Sequence, residues 1–204
     1  MSLPEATIYI LDDDDALRDS LQWLLEAEGL QAQGYADPHA FFHAYDPERP
    51  GCLLLDIRMP GMSGLQVQQH LHELHITLPV IVMTGHGDVP LAVTAMKQGA
   101  LDFLEKPFND QTLLDRVQQA LHQDLQQFSQ RQQLQSLQNR YASLTKREKE
   151  VMHWVVRGLA NKDIADTLGI SRKTIEVHRA NAMEKMAANS LAELVQIALQ
   201  LGEV

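Results

Sequence analysis

The chain has 204 residues, 45% hydrophobic and 22% charged, and a formal net charge of −10. Its apolar content is too high for a disordered polymer, no apolar run approaches the about 20 residues that span a bilayer, and a single cysteine excludes a disulfide framework or a Cys-rich zinc site. Taken alone, the acidic balance argues against nucleic acid as a partner.

Met1 to Glu5 lack the basic region and apolar stretch of a signal peptide, so a cytoplasmic location without membrane attachment is expected. Ala6–Leu11 reads as a buried strand. Leu17, Leu21, Leu24 and Leu25 recur at helical spacing from about Ala16 to Glu28, and Gly29 ends that helix. A weaker strand, Leu30–Tyr35, precedes a short helix near Pro38–Ala44. Then follow Cys52–Leu55, a helix from about Gly64 to Leu74, Pro79–Met83, a helix from about Val89 to Gln98, Leu101–Leu104, and a helix opening near Asp110. Five strands alternating with five helices predict an α/β fold with a parallel five-stranded sheet covered on both faces. Cys52, inside an apolar run, reads as a small buried hydrophobe.

Ten of residues 118–138 are Gln, with Leu125, Phe128, Leu134, Leu137, Tyr141 and Leu144 spaced mostly by three or four. This predicts a helical linker over 123–143, either a solvated spacer or a dimerising coiled coil. The remainder, 144–204, reads as four helices. Thr145 to Glu148 form a capping box, Gly158 closes the first helix, and Asn161, Ser171 and Ser190 are the expected caps of the others. A turn at Gly169 between two of these helices gives a helix-turn-helix arrangement. Charge divides along the same lines. Residues 1–122 carry 6 Lys/Arg against 18 Asp/Glu, a net of −12, while 123–143 and 144–204 are each at +1. Such asymmetry assigns different partners to different domains.

In an open α/β sheet the functional groups gather at the carboxyl ends of the strands. Those ends carry Asp12 to Asp15, Asp56, Thr84 with Gly85, and Lys106. Four consecutive Asp are by themselves as readily a helix cap with an acidic first turn, a role expected of Asp14. That reading explains neither Asp56 nor Lys106. Crowded carboxylates repel unless a cation joins them, and Mg²⁺ is the natural occupant of such oxygens. A carboxylate beside Mg²⁺ and a lysine accepts a phosphoryl group, with Thr84 supplying a hydroxyl and Gly85 leaving the approach open. His70, His72 and His75 lack companion ligands and are not read as a metal site. His86 sits at the pocket mouth, either tuning phosphate lifetime or merely solvated.

Leu11-Asp12-Asp13, the segment Leu55 to Gly64 around Asp56, Met83-Thr84-Gly85-His86-Gly87 and Glu105-Lys106-Pro107-Phe108 together resemble the receiver domain of bacterial two-component response regulators. The resemblance covers residues 6 to about 122 and implies a flavodoxin-like fold. It also implies Asp56 as phosphoacceptor from a sensor histidine kinase, and Mg²⁺ (or Mn²⁺) held by Asp12, Asp13, Asp56 and the backbone carbonyl of Arg58. A cis Lys106–Pro107 bond and a Thr84–Phe103 switch pair are further implications. Spacing alone favours Phe103 as ordinary core.

On the third helix of 144–204, Ile175, His178, Ala182 and Met186 share one face, where His178 reads as a packed histidine. Lys173, Glu176 and Val177 lie opposite, flanked by Arg172 and Arg179. Arg172, Lys173, Thr174 and Lys162 are placed for phosphates, and Glu176 and Val177 for base edges, a glutamate accepting from cytosine N4. Leu144 to Val151, Gly158 to Ala165 and Leu168 to Arg179 resemble the LuxR-type DNA-binding domain, and with the receiver they resemble the FixJ-like branch of the NarL/LuxR response regulators. Many relatives carry a basic residue where Glu176 stands, so base preference does not transfer. The resemblance implies a dimer face on the last helix, with Leu191, Leu194, Val195 and Ala198 as its stripe.

The expected function is therefore a transcription factor, by preference an activator meeting RNA polymerase. Phosphorylation of Asp56 would shift the face around Phe103 and favour a promoter-bound homodimer. Two alternatives stand beside it: a Mg²⁺-dependent phosphohydrolase, for which Asp56-Ile57-Arg58 lacks the second acid, and a receiver joined to an RNA antiterminator module.

Overall fold

A computed structural model describes residues 6–85 and 89–203, so His86 lies outside the described residues. The chain divides into two compact units, one ending at Phe128 and the other beginning at Ser129.

The first unit alternates β1 (Thr7–Leu11), α1 (Asp15–Ala27), β2 (Gln31–Tyr35), α2 (Pro38–Ala44), β3 (Gly51–Asp56), α3 (Gly64–Glu73), β4 (Val80–Thr84), α4 (Val89–Lys97) and β5 (Asp102–Glu105) before α5 (Asp110–Ala142). All strands are parallel, in the order β2-β1-β3-β4-β5. Every residue of β1, β3 and β4 is buried, which is why these strands read as unbroken apolar runs. Alternation divides the side chains between two cores. Ile8, Ile10, Cys52, Leu54 and Ile81 meet Leu21 and Leu25 of α1 and Leu113 and Val117 of α5. Tyr9, Leu53, Leu55 and Val82 meet Phe41 of α2, Val67 and Leu71 of α3 and Ala95 of α4. Each fully buried Leu or Ile contributes about 1.5–3 kcal/mol, so the sheet forms a stiff platform for the loops at its carboxyl edge.

Edge strand β5 has only one face covered. Leu104 is buried, and Phe103 is 44% exposed rather than part of the core. Spacing alone missed this because it does not reveal which strand is the edge. The Gln-rich stretch is continuous helix within α5, and its Leu137 joins Leu144 in the core of the second unit, leaving Leu134 exposed.

That unit contains α6 (Lys146–Val156), α7 (Asn161–Leu168), α8 (Arg172–Lys185) and α9 (Leu191–Leu201). Thr145 and Glu148 form the capping box, while Ser171 and Ser190 accept from the third residue of their helices. Asn161 is not a cap: Ala160 holds that position without a side-chain bond, and Asn161 is the first helical residue. The α7–α8 turn uses Gly169 at φ +66, a left-handed conformation that suits glycine. Val151, Val155, Ile164, Ile175, Ala182, Leu194, Ile197 and Ala198 make the core.

Candidate functional site

Sheet order places β1 beside β3 with connections leaving in opposite directions, and the crevice above such a point is where open α/β sheets bind ligands. Asp12 follows β1 and Asp56 ends β3. The helix after Asp56 is brought close by Gly64, where a Cβ would lie 2.3 Å from the Asp56 carbonyl oxygen. Lys106 arrives from beyond β5 on the cis Lys106–Pro107 peptide, with its backbone N–H donating to the Thr84 carbonyl at 2.7 Å.

These elements converge on one ammonium. Lys106 Nζ donates to Asp12 Oδ2 at 2.6 Å and to Asp56 Oδ1 at 2.5 Å. Asp56 Oδ2 accepts from the Arg58 N–H at 2.6 Å, and Asp12 Oδ1 from the Asp14 N–H at 2.9 Å. Asp12 is 1% exposed and Asp56 6%. Burial pushes the Asp56 carboxyl above its usual range, although hydrogen bonding to Lys106 opposes the rise. Burial would lower Lys106, but hydrogen bonds to Asp12 and Asp56 outweigh it and hold the ammonium above its usual value. Thr84 is buried, with its hydroxyl donating to the Gly85 carbonyl at 3.3 Å.

Asp14 caps α1, accepting from the N–H groups of Ala16 and Leu17 as expected. Asp13 is exposed, and among the described residues no three His, Cys, Asp or Glu side chains are arranged to hold a metal. The arrangement thus brings Asp12 and Asp56 together without Asp13. Two converging carboxylates still suit Mg²⁺, which takes one or two protein carboxylates and completes its shell with water and substrate phosphate. An ammonium between two acids can also supply positive charge to an anionic group bound beside them.

In the second unit, α8 turns Ile175 and Ala182 inward, while Lys173, Glu176 and Val177 face solvent, Val177 at 52% exposure. His178 is half-buried rather than fully packed. Arg172 Nε donates to Glu176 Oε1 at 3.2 Å one turn along the helix. Lys162 and Lys173 are exposed at the starts of α7 and α8, and Thr174 lies half-buried beside the Ser171 cap. Arg179 is half-buried, with Nη1 donating to Asn161 Oδ1 at 3.0 Å, so it ties α8 to α7.

The dimer stripe expected on α9 needs correction. Leu194 is 1% exposed and Ala198 0%, both inside the unit's own core. Leu191, at 41%, and Leu199, at 61%, are the exposed large apolar residues of α9, with Val195 half-buried between them. An apolar stripe at helical spacing does not tell an inner face from an outer one when both are apolar.

Three further features escaped sequence reasoning. Arg18 reaches back to the Asp12 carbonyl. Ser63 and Gln66 form a capping box at α3, legible as a serine three residues before a glutamine. Glu148 accepts from Lys185 at 2.7 Å across 37 residues, for which local sequence gives no signal.

Residues 8–118 match the family described as "Response regulator receiver domain" and residues 142–198 the family described as "Bacterial regulatory proteins, luxR family". The "Transcriptional regulatory protein FixJ" of Azorhizobium caulinodans is 48% identical over 201 residues, 98% of this chain and 95% of that protein. "Response regulator protein TodT" of Pseudomonas putida is 43% identical over 98% of this chain and 88% of its own length. Among solved structures, response regulator StyR aligns with TM-score 0.89 at 40% identity, covering 96% of this chain and 99% of that one. Full-length FixJ from B. japonicum gives 0.58 at 43% identity, covering both chains completely.

Proposed function

Because the chain belongs to the response regulators that join a receiver domain to a LuxR-type DNA-binding domain, we propose a phosphorylation cycle centred on Asp56 that controls binding of a homodimer to promoter DNA. As a response regulator of this type, the protein is a transcription regulator of a two-component system. The observation that carries the cycle is the Lys106 ammonium shared by Asp12 and Asp56 at 2.6 and 2.5 Å.

A sensor histidine kinase presents phosphohistidine. The P–N bond breaks as an Asp56 carboxylate oxygen bonds phosphorus, and the imidazole leaves to take a proton. Asp12 and Asp56, with the Arg58 backbone carbonyl and with Asp13 turning in from its exposed position, would hold Mg²⁺ (or Mn²⁺), which would supply positive charge to the phosphoryl oxygens. Lys106 supplies the second charge, and Gly85 leaves room beside it. The chain's chemistry ends with accepting and losing its own phosphate, and the molecule works in the cytoplasm.

The Thr84 hydroxyl then exchanges the Gly85 carbonyl for a phosphoryl oxygen, and Phe103, outward at 44% exposure, turns into the space released. Moving such a switch from about 1:99 to 99:1 needs roughly 5.5 kcal/mol, so dimerisation adds to the phosphate. The dimer places two α8 helices on half-sites about one helical turn apart. Arg172, Lys173, Thr174 and Lys162 contact phosphates, and Glu176 and Val177 meet base edges. Arg179 contributes from its Asn161 tether, and Leu191, Val195 and Leu199 serve as the α9 contact face. In the activating role, bound protein engages RNA polymerase.

The test is Asp56→Asn with a small phosphodonor and Mg²⁺. Wild type is expected to dimerise and shift specific duplex DNA, and the variant to do neither. Donor-driven dimerisation of the variant would overturn the cycle, and preference for structured RNA would restore the antiterminator reading.

A further inference from the structure

Strand β1 ends at Leu11, so the Asp12 carbonyl is the first along that strand outside the ladder. Its own N–H is still taken by the Tyr35 carbonyl at 3.2 Å. Asp12 is 1% exposed, and a buried carbonyl without a donor is costly. The donor comes from six residues on. Arg18 Nη1 reaches back from α1 to the Asp12 carbonyl at 2.7 Å, and Nη2 pairs with the Asp15 carboxylate. The Arg18 side chain is only 14% exposed, whereas that of Asp15 is 86% exposed. Its stem lies over Gly34 of β2, where a Cβ would sit 3.6 and 3.7 Å from Arg18 Cδ and Cβ.

We propose that Arg18 is a positioning residue for the phosphoacceptor pocket: by holding the Asp12 carbonyl it fixes the direction in which the Asp12 carboxylate faces Asp56. The inference rests on the reading that this pocket takes Mg²⁺ and a phosphoryl group. The Asp12 side chain is already engaged by the Asp14 N–H on one oxygen and Lys106 on the other. With the carbonyl released, the peptide after Asp12 turns, and both contacts move with it. A lysine at position 18 keeps the charge but lacks the planar fork that serves the carbonyl and Asp15 together. The Asp15 arm is secondary, because an exposed ion pair adds little.

The experiment is a calorimetric Mg²⁺ titration of the full chain in wild type, Arg18→Ala, Arg18→Lys and Asp15→Asn, with thermal unfolding as a check on folding. Loss of an outer group that orients a ligand weakens metal affinity by about tenfold or more. That loss is expected in both Arg18 variants, while Asp15→Asn stays within about threefold of wild type. At saturating Mg²⁺, phosphorylation of Arg18→Lys by a small phosphodonor is expected to recover towards the wild-type rate. Wild-type affinity in Arg18→Lys, or a loss in Asp15→Asn equal to that in Arg18→Ala, overturns the proposal. A wild-type chain that binds Mg²⁺ and takes phosphate alongside unaffected variants refutes only Arg18's role. A wild-type chain that does neither refutes the underlying reading as well.

Discussion

Each unit contains a buried carboxylate joined to a lysine, and the two pairs differ in how completely they are satisfied. Glu148 accepts from Lys185 at 2.7 Å and from the Thr145 N–H at 2.8 Å, closing a helix cap. Those bonds, the Lys185 bond first, hold its carboxyl down at about 2. Asp56 shares one ammonium with Asp12, and burial drives its carboxyl upward. One lysine for one acid gives a structural clamp. One lysine for two acids leaves negative charge that an incoming cation and phosphoryl group can use. The two sites thus differ in charge balance, although the carboxylates of both are buried.

The contrast predicts that removing the two lysines produces different failures. Lys106→Ala is expected to slow phosphorylation by a small phosphodonor about a hundredfold, the scale of losing one preorganised group that stabilises transition-state charge. A donor assay following intact mass checks this, and an unchanged rate would make Lys106 as structural as Lys185. Lys185→Ala is expected to leave that rate alone and destabilise the second unit by about 1–3 kcal/mol. This is less than for a fully buried pair, because the Lys185 side chain is 38% exposed. Denaturant unfolding read by Trp154, in a Trp23→Phe background that silences the other tryptophan, reports it.

Acid sharpens the same distinction. The Glu148 carboxyl is depressed in the folded state, from an ordinary 4.5 to about 2. Its contribution is therefore complete above pH 4.5 and lost as pH falls towards 2. Trp154-detected stability of the second unit should decline through that window, and Glu148→Gln should flatten the decline. The smallest expected effect is Ser171→Ala, which removes the α8 cap and costs about 1 kcal/mol. It should lower stability without relaxing base preference, whereas Glu176→Gln should alter preference in a selection from random duplexes with little change in stability.

Much of this was legible in the residues. The runs Thr7–Leu11 and Gly51–Asp56 announced central strands because strands covered on both faces need no polar side. Asp14, Thr145, Ser171 and Ser190 announced helix starts because a cap is a local bond over three residues. What stayed hidden was decided by distant partners. Asn161 has the chemistry of a cap, yet its oxygen is taken by Arg179, 18 residues away. Leu194 and Ala198 look like a dimer stripe, yet the core formed with α6 and α8 claims them. Arg18 is an ordinary helical arginine until the end of β1 exposes a carbonyl that needs it. The acidic pocket itself stood out from motif order, but that one ammonium serves two of its carboxylates is a fact of geometry.

Phosphoryl transfer to Asp56 can be trapped chemically. The full chain is incubated with phosphoramidate and Mg²⁺, the acyl phosphate is trapped with borohydride, which reduces the modified aspartate to homoserine, and the peptides are mapped by mass spectrometry. Conversion is expected at Asp56 alone, with none once Asp56→Asn is introduced. Conversion at Asp12 or Asp13, or none in the wild-type chain, would contradict it.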